Sequence, residues 1–266
     1  MMKNTTYYLG LALMALGLTL SACDSVDENE RYIAAEIPEV GRNVLVEEYT
    51  GQFCVNCPDG HATLKKIKEL YGDKVITVGI HAGALSWDDV EHGGLKTPEG
   101  DAYADKWGVE AYPSIIVDHK GTPISTMAQW QDAVQKNMGQ VAKADIELSA
   151  SLSEDGKKIE IKSSLLANNS MSASYQIWIT ESKIAAFQQT LSDNVLDYEH
   201  NHVYRASVNG VGGEEISLSS GIIAEKTHTI EINNSWEKQN LSVVAFLYDG
   251  NGVIQVEEAA VDSFEK

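Results

Sequence analysis

The stretch that decides the reading runs from Val44 to Tyr71. It is Val44-Leu45-Val46-Glu47-Glu48-Tyr49-Thr50, then Gly51-Gln52-Phe53-Cys54-Val55-Asn56-Cys57-Pro58, then Asp59-Gly60-His61 and a charged segment ending at Tyr71. The apolar opening suits a buried strand. Cys54 and Cys57 form a Cys-x-x-Cys pair. From Pro58 the period becomes helical: Leu64, Ile67, Leu70 and Tyr71 share one face, and Lys65, Lys66, Lys68 and Glu69 fall largely on the other. A dithiol where a strand turns into a helix is a redox arrangement with a physical cause. The helix start offers unpaired N–H groups and the positive end of the dipole. Both lower the pKa of the first thiol, and the thiolate is the attacking species.

Working outward, a chain of 266 residues has room for two domains. Its hydrophobic share of 43% marks it as globular. A formal net charge of −19 argues against a nucleic-acid backbone as partner. The 21 glycines against 5 prolines fit a turn-rich, β-rich half. Three cysteines divide into two roles. Cys23 belongs to an export signal, which leaves Cys54 and Cys57 as the only thiols of the folded part. A disulfide closing so short a loop removes little chain entropy, which favours a working dithiol over a staple, with a structural bridge as the alternative.

Residues 1–22 read as an address. Lys3 precedes an apolar run from Tyr7 to Leu20, too short and too early for an ordinary membrane span. The run ends Leu20-Ser21-Ala22-Cys23, which resembles a bacterial lipobox. Cleavage before Cys23 and lipid on its sulfur and amine are expected, which anchors the chain to a membrane. A plain signal peptide cut near the same place is the other reading. Residues 23–43 begin with an acidic tether, Asp24 to Glu30, which is either a linker or a surface-export signal.

Residues 44–142 alternate strand and helix. Lys74 to His81 is a second buried strand, Glu99 to Trp107 a short helix, and Ser114 to Asp118 a further strand. Met127, Trp130, Val134, Met138 and Val141 mark a closing amphipathic helix. Such alternation predicts a parallel sheet with a crossover helix. This order, with Cys-x-x-Cys and Gly108-Val109-Glu110-Ala111-Tyr112-Pro113-Ser114, resembles thioredoxin. The resemblance implies a cis Pro113 beside the disulfide, with Tyr112 offering main-chain contacts to substrate. Phe53, next to the dithiol, is a further candidate substrate contact. It also implies a buried carboxylate six residues before Cys54, at Glu48, taking the proton of Cys57. Desolvation would raise the pKa of such a carboxyl, as a base near neutrality needs. Strand alternation alone allows Glu47 or Glu48 to face that way, and Glu48 is preferred. Val55-Asn56 stands where thioredoxins have Gly-Pro. The Gly-rich insertion Ala82 to Pro98 is foreign to a minimal thioredoxin and could cap the site or recognise a partner.

Metal chemistry competes. Cys54, Cys57 and His61 have a Cys-x2-Cys-x3-His spacing that His81 could complete, but the second pair usual in zinc sites is missing. No metal and no cofactor are therefore expected. His200 and His202 would share a strand face, where a structural role is expected in the absence of a third ligand.

From residue 143 alternation replaces the helical period. Strands are expected over Asp145–Leu152, Lys158–Leu165, Ser174–Glu181, His202–Ser207, Thr227–Ile232, Leu241–Tyr248 and Val253–Glu258, with Asp249-Gly250-Asn251-Gly252 as a hairpin turn. Seven short strands predict an antiparallel, immunoglobulin-like β-sandwich over residues 143–266. The lipobox, Glu47-Glu48-Tyr49-Thr50-Gly51-Gln52 with its dithiol, Ile80-His81-Ala82-Gly83, Tyr112-Pro113, and Tyr198-Glu199-His200-Asn201-His202-Val203-Tyr204-Arg205-Ala206-Ser207 together resemble the Omp28-related lipoproteins of Bacteroidetes. That resemblance implies an α/β thioredoxin-like domain followed by an all-β sandwich domain, on a lipid anchor at the outer membrane.

Two functions follow. In the first, the protein is a thiol–disulfide oxidoreductase or isomerase acting on protein thiols and disulfides. Cys54 attacks, Cys57 resolves, Glu48 moves the proton and Tyr112-Pro113 hold the substrate. The second half then serves dimerisation, giving a homodimer, or substrate docking. In the second, the protein is a surface binding or adhesion lipoprotein whose Cys54–Cys57 bond is static.

Overall fold

The computed structural model describes residues 41–263. The expected signal segment, Cys23 and residues 24–40 of the tether lie outside them. β1 (Val44–Thr50) is buried at every position, as its apolar opening requires. It pairs in parallel with β2 (Val75–His81), and α1 (Cys57–Tyr71) makes the crossover between them. α1 starts at Cys57 with Pro58 in its first turn, where the missing N–H costs nothing. Its Leu64 and Ile67 pack on Val44, Val46 and Ile115. α2 (Pro98–Trp107) is capped by Thr97, whose Oγ1 accepts the Gly100 N–H. Its Tyr103 and Ala104 cover the opposite face, against Leu45, Tyr49 and Val78. β3 (Ser114–Val117) pairs antiparallel with β1, and β4 (Lys120–Ile124) with β3. α3 (Trp130–Asn137) adds Trp130 and Val134 to the α1 side.

The second half is β-rich. β5 (Ala144–Leu152) and β6 (Lys158–Ala167) form an antiparallel pair. β7 (Met171–Glu181) belongs to a facing layer. β8 (Ile184–Gln189) and β9 (Asn194–His200) form a separate two-stranded hairpin. β10 (Val203–Ser207) and β11 (Glu214–Leu218) both pair with β7. β12 (Ile223–Glu231) flanks β6. β13 (Leu241–Asp249) pairs with β7 and with β14 (Gly252–Asp262). Ile146, Ile159, Ile161 and Leu165 of one layer meet Tyr175, Ile177, Val243 and Leu247 of the other. This is the face-to-face core of a sandwich. The far end of β14 pairs with β5 at Val261 and Ala150, so one long strand ties the two layers.

The expected fold class, a separate α/β thioredoxin-like domain followed by a separate sandwich, is corrected. The molecule is mostly β, and one 12-stranded mixed sheet runs β12-β6-β5-β14-β13-β7-β10-β2-β1-β3-β4, with β11 on β7. The strands of the first half have no sheet of their own. β10 joins β7 on one side and β2 on the other, where the Gly79 N–H donates to the His202 carbonyl at 2.8 Å. The cause is an edge. β2 is apolar and almost wholly buried, and an open edge there would be a template for wrong pairing. The core is shared too: Leu45, Ile76 and Val78 pack in one cluster with Trp178, Tyr204 and Phe246.

Two residues expected in the tether belong to the fold. Arg42 is buried and bonded to Asp118 and to the Val253 carbonyl. Asn43 Nδ2 donates to the Val256 carbonyl and to Glu257. A buried guanidinium persists only where such partners meet it. Among the described residues no helix is long and apolar enough to cross a membrane.

Candidate functional site

The turn from β1 into α1 holds Cys54 and Cys57 in a disulfide. Both are covered: Cys54 is 3% exposed and Cys57 is fully buried. The cover is the β8–β9 hairpin. Gln188 Nε2 donates to the carbonyls of Cys54 at 3.0 Å and Gly51 at 3.3 Å, and the Gln189 N–H donates to the Gln52 carbonyl at 2.7 Å. The insertion expected to cap the site or recognise a partner also packs here, with the Phe53 N–H on the Leu85 carbonyl at 2.8 Å. Phe53, 40% exposed, meets Phe187 at 5.5 Å and Trp87 at 6.2 Å. Three aromatic rings from the turn, the insertion and the hairpin thus meet beside the dithiol.

Alternation along β1 sends Glu47 and Glu48 to opposite faces, and both are buried. Glu48 lies on the α1 face. A Cβ at Gly60, one turn after Cys57, would lie 2.8 Å from Glu48 Oε1 and 3.0 Å from Pro113. So Glu48, Pro113 and the first turn of the dithiol helix form one packed unit. Burial pushes the Glu48 carboxyl up to about 8, and its Oε1 has no hydrogen-bond partner. The Tyr112–Pro113 bond is cis. Pro113 is buried, and the half-buried Tyr112 ring stands against Gly83 of the insertion.

His61, on the first turns of α1, faces inward rather than to solvent. Its Nε2 meets Thr50 Oγ1 at 2.9 Å and its Nδ1 meets Tyr198 OH at 2.8 Å. Burial, and then the neighbouring His200, push it down to about 3, so the ring is neutral. Its 3.9 Å approach to Glu48 is therefore no ion pair. The rings of His81 and His200 meet edge to face at 5.2 Å, both buried, with Nδ1 of each unbonded. Burial holds His200 down at about 4 and His81 well below its ordinary value. These groups line a cavity of about 720 Å³ between α1 and the hairpin. His200 and His202 do not share a face: His202 has a φ of 54° and turns toward Glu258, 3.8 Å away. Among the described residues no three metal-ligating side chains are arranged around one point.

The hairpin over the dithiol was missed by sequence reasoning. Its β9 strand, Asn-Val-Leu-Asp-Tyr-Glu-His, has mixed burial and weak alternation. Tyr198 and His200, which begin the motif Tyr198 to Ser207, are its signal in the sequence.

The family model for outer membrane protein Omp28 matches residues 100–264. A comparison with curated proteins finds no match. Among solved structures, HBP35 of Porphyromonas gingivalis is 14% identical, with 86% of this chain and 79% of that chain covered and a TM-score of 0.67. A protein from Agrobacterium tumefaciens is 15% identical, with 83% and 95% covered and a TM-score of 0.50. At such identities the likeness concerns the fold alone. A domain of the outer membrane lipoprotein Omp28 from Porphyromonas gingivalis is 21% identical over 47% of this chain and 93% of its own, at a TM-score of 0.34. The family match spans more than half of the chain, which therefore belongs to the Omp28 family of outer membrane proteins.

Proposed function

We propose that the chain is an outer-membrane lipoprotein, held by lipid on Cys23, that carries out thiol–disulfide exchange through Cys54 and Cys57. One observation carries the reading: a buried, unpartnered carboxyl raised to about 8 lies against the first turn of the helix that begins at the dithiol. A structural bridge has no use for such a group, whereas exchange needs a proton acceptor that works near neutrality. The Cys54 thiolate attacks a substrate disulfide, forming a mixed disulfide and releasing one substrate thiolate. Cys57 passes its proton to Glu48 and attacks Cys54 Sγ, which releases the second substrate thiol. Phe53 and the chain at Tyr112 serve as substrate contacts.

The second reading, a surface binding protein with a static bridge, is favoured by the burial of both sulfurs. The reduction potential of Cys54–Cys57, measured on the purified chain in glutathione or dithiothreitol buffers, separates the two. Exchange predicts a value of roughly −120 to −270 mV. A bond that stays oxidised well below about −300 mV would leave the static reading standing.

A further inference from the structure

Glu47 does not face the dithiol, and it enters no step above. On the opposite face of β1 its Oε2 accepts from Tyr49 OH at 3.0 Å and its Oε1 from His119 Nδ1 at 2.8 Å. Since Nδ1 donates to a carboxylate, His119 Nε2 is the acceptor in the neutral ring. It faces Lys106 Nζ at 2.7 Å. Glu47 and His119 are buried, while Lys106 at the end of α2 is exposed at the rim of a second cavity of about 720 Å³. His119 occupies the left-handed region, φ 51°, after Asp118 at φ 56°, in the two-residue turn from β3 to β4. The two-residue hairpin turn requires positive φ at both positions, which Asp and His tolerate better than most side chains, and its neighbours fix the ring. Arg42 holds Asp118, Glu47 holds the ring, and Trp107 at 5.0 Å and Tyr248 at 4.6 Å wall it.

We propose that Glu47, His119 and Lys106 form a relay that makes Lys106 a nucleophilic amine, and that the adjoining cavity takes hydroxyaldehydes as Schiff bases. His119 Nε2 accepts a proton from the Lys106 ammonium, and Glu47 stabilises the imidazolium that results, as a buried carboxylate does for a catalytic histidine. The free amine attacks the carbonyl carbon. One amine proton passes to the new alkoxide, giving a carbinolamine; the proton held by His119 then goes to that hydroxyl, which leaves as water, and the product is a protonated imine with no change of redox state. The half-exposed amine is partly desolvated, which lowers the Lys106 pKa against the opposing pull of Glu47. Lys106 Nζ lies 4.7 Å from the Trp107 ring centroid and 5.6 Å from that of Tyr248. The cavity wall supplies apolar faces from Trp107 and Tyr248 and hydroxyls from Ser172, Ser174 and Ser217, which suits a short hydroxylated chain.

This site is independent of the dithiol, and so is its test. The purified full chain is treated with glyceraldehyde and cyanoborohydride near pH 7, and the reduced adducts are mapped by mass spectrometry. Lys106 should label roughly 10-fold faster than Lys120, a lysine on the same rim. Glu47→Gln should bring Lys106 down to the Lys120 rate and leave Lys120 unchanged. Propanal, without hydroxyls, should label Lys106 more slowly than glyceraldehyde. Equal rates at Lys106 and Lys120 in the parent chain would overturn the relay, and that comparison needs no variant to fold. An unchanged preference in Glu47→Gln would overturn the role of Glu47, and equal labelling by the two aldehydes would overturn the hydroxyaldehyde assignment.

Discussion

Glu48 gives the site its pH behaviour. Unfolded, it ionises at about 4.5; folded, burial holds its proton to about 8. Between these values the folded state binds the extra proton, so stability falls as pH rises through the window and levels off above it. Glu48→Gln keeps the shape and removes the charge. It should gain stability relative to the parent between pH 5 and pH 8, by on the order of a few kcal/mol at the upper end. Urea denaturation at the two pH values measures this, and an equal difference at both would show that Glu48 ionises normally. The same variant should slow exchange through the dithiol. His200 works in the opposite direction. Its folded pKa, lowered to about 4, leaves the ring neutral while the unfolded ring takes a proton below about 6.5. Stability is therefore lost as pH falls through that range. His200→Gln should lose less stability than the parent between pH 7 and pH 5 in the same assay. Gly60 is a third residue whose sign can be stated. In an exposed helix Gly→Ala gains about 1 kcal/mol. Here the added Cβ meets Glu48 and Pro113 at 3.0 Å or less, so Gly60→Ala should lower the thermal midpoint.

At the scale of elements, the β8–β9 hairpin controls access to the disulfide. It is held there by the Gln188 side chain, a main-chain bond from Gln189, the Gln52 amide on the Phe187 carbonyl, Tyr198 OH on His61, and the Phe187 ring on Phe53 and Trp87. Of these, the Phe187 ring is the contact nearest the dithiol that can be removed without touching a buried polar group. Phe187→Ala removes one buried ring face and leaves the disulfide and Glu48 untouched. Dithiothreitol should reduce this variant several-fold faster than the parent while the reduction potential stays near the parent value. If the rate does not change, the hairpin does not limit access. The α1 segment shows a different balance. It buries Leu64 and Ile67, leaves its lysines outward and starts at the dithiol, all from local pattern.

At the scale of the molecule, one core joins both halves. Trp178 of β7 meets Tyr103 of α2 at 5.1 Å and Phe246 of β13 at 4.8 Å, and its Nε1 donates to Tyr103 OH. Trp178→Ala should cost about 3–5 kcal/mol. The loss should appear as a single unfolding transition, seen alike by far-ultraviolet circular dichroism and by fluorescence. Two separate transitions would show halves that unfold independently. For the same reason residues 41–142 expressed alone should not fold, because β2 would lose β10 and the α2 face would lose Trp178 and Phe246.

The sequence by itself determined what depends on neighbours in the chain. The buried β1, the amphipathic α1 behind Cys57, and most strands after residue 143 were legible because periods of 2 and 3.6 are local consequences of burying one face. Cys54 and Cys57 were legible from their spacing at the start of α1, whereas Glu48 and Pro113 were candidates only through the resemblance to thioredoxin. Tertiary structure alone decided the rest. Nothing local in Val203-Tyr204-Arg205 says that it bridges β2 and β7, yet that pairing turns two expected domains into one sheet. Glu47 and Glu48 are adjacent in sequence and carry the same side chain, but one is bound to His119 across 72 residues while the other has no partner. Strand pairing and burial are settled between segments far apart in the chain, where a hydrophobic pattern specifies that a face is covered but not which distant segment covers it.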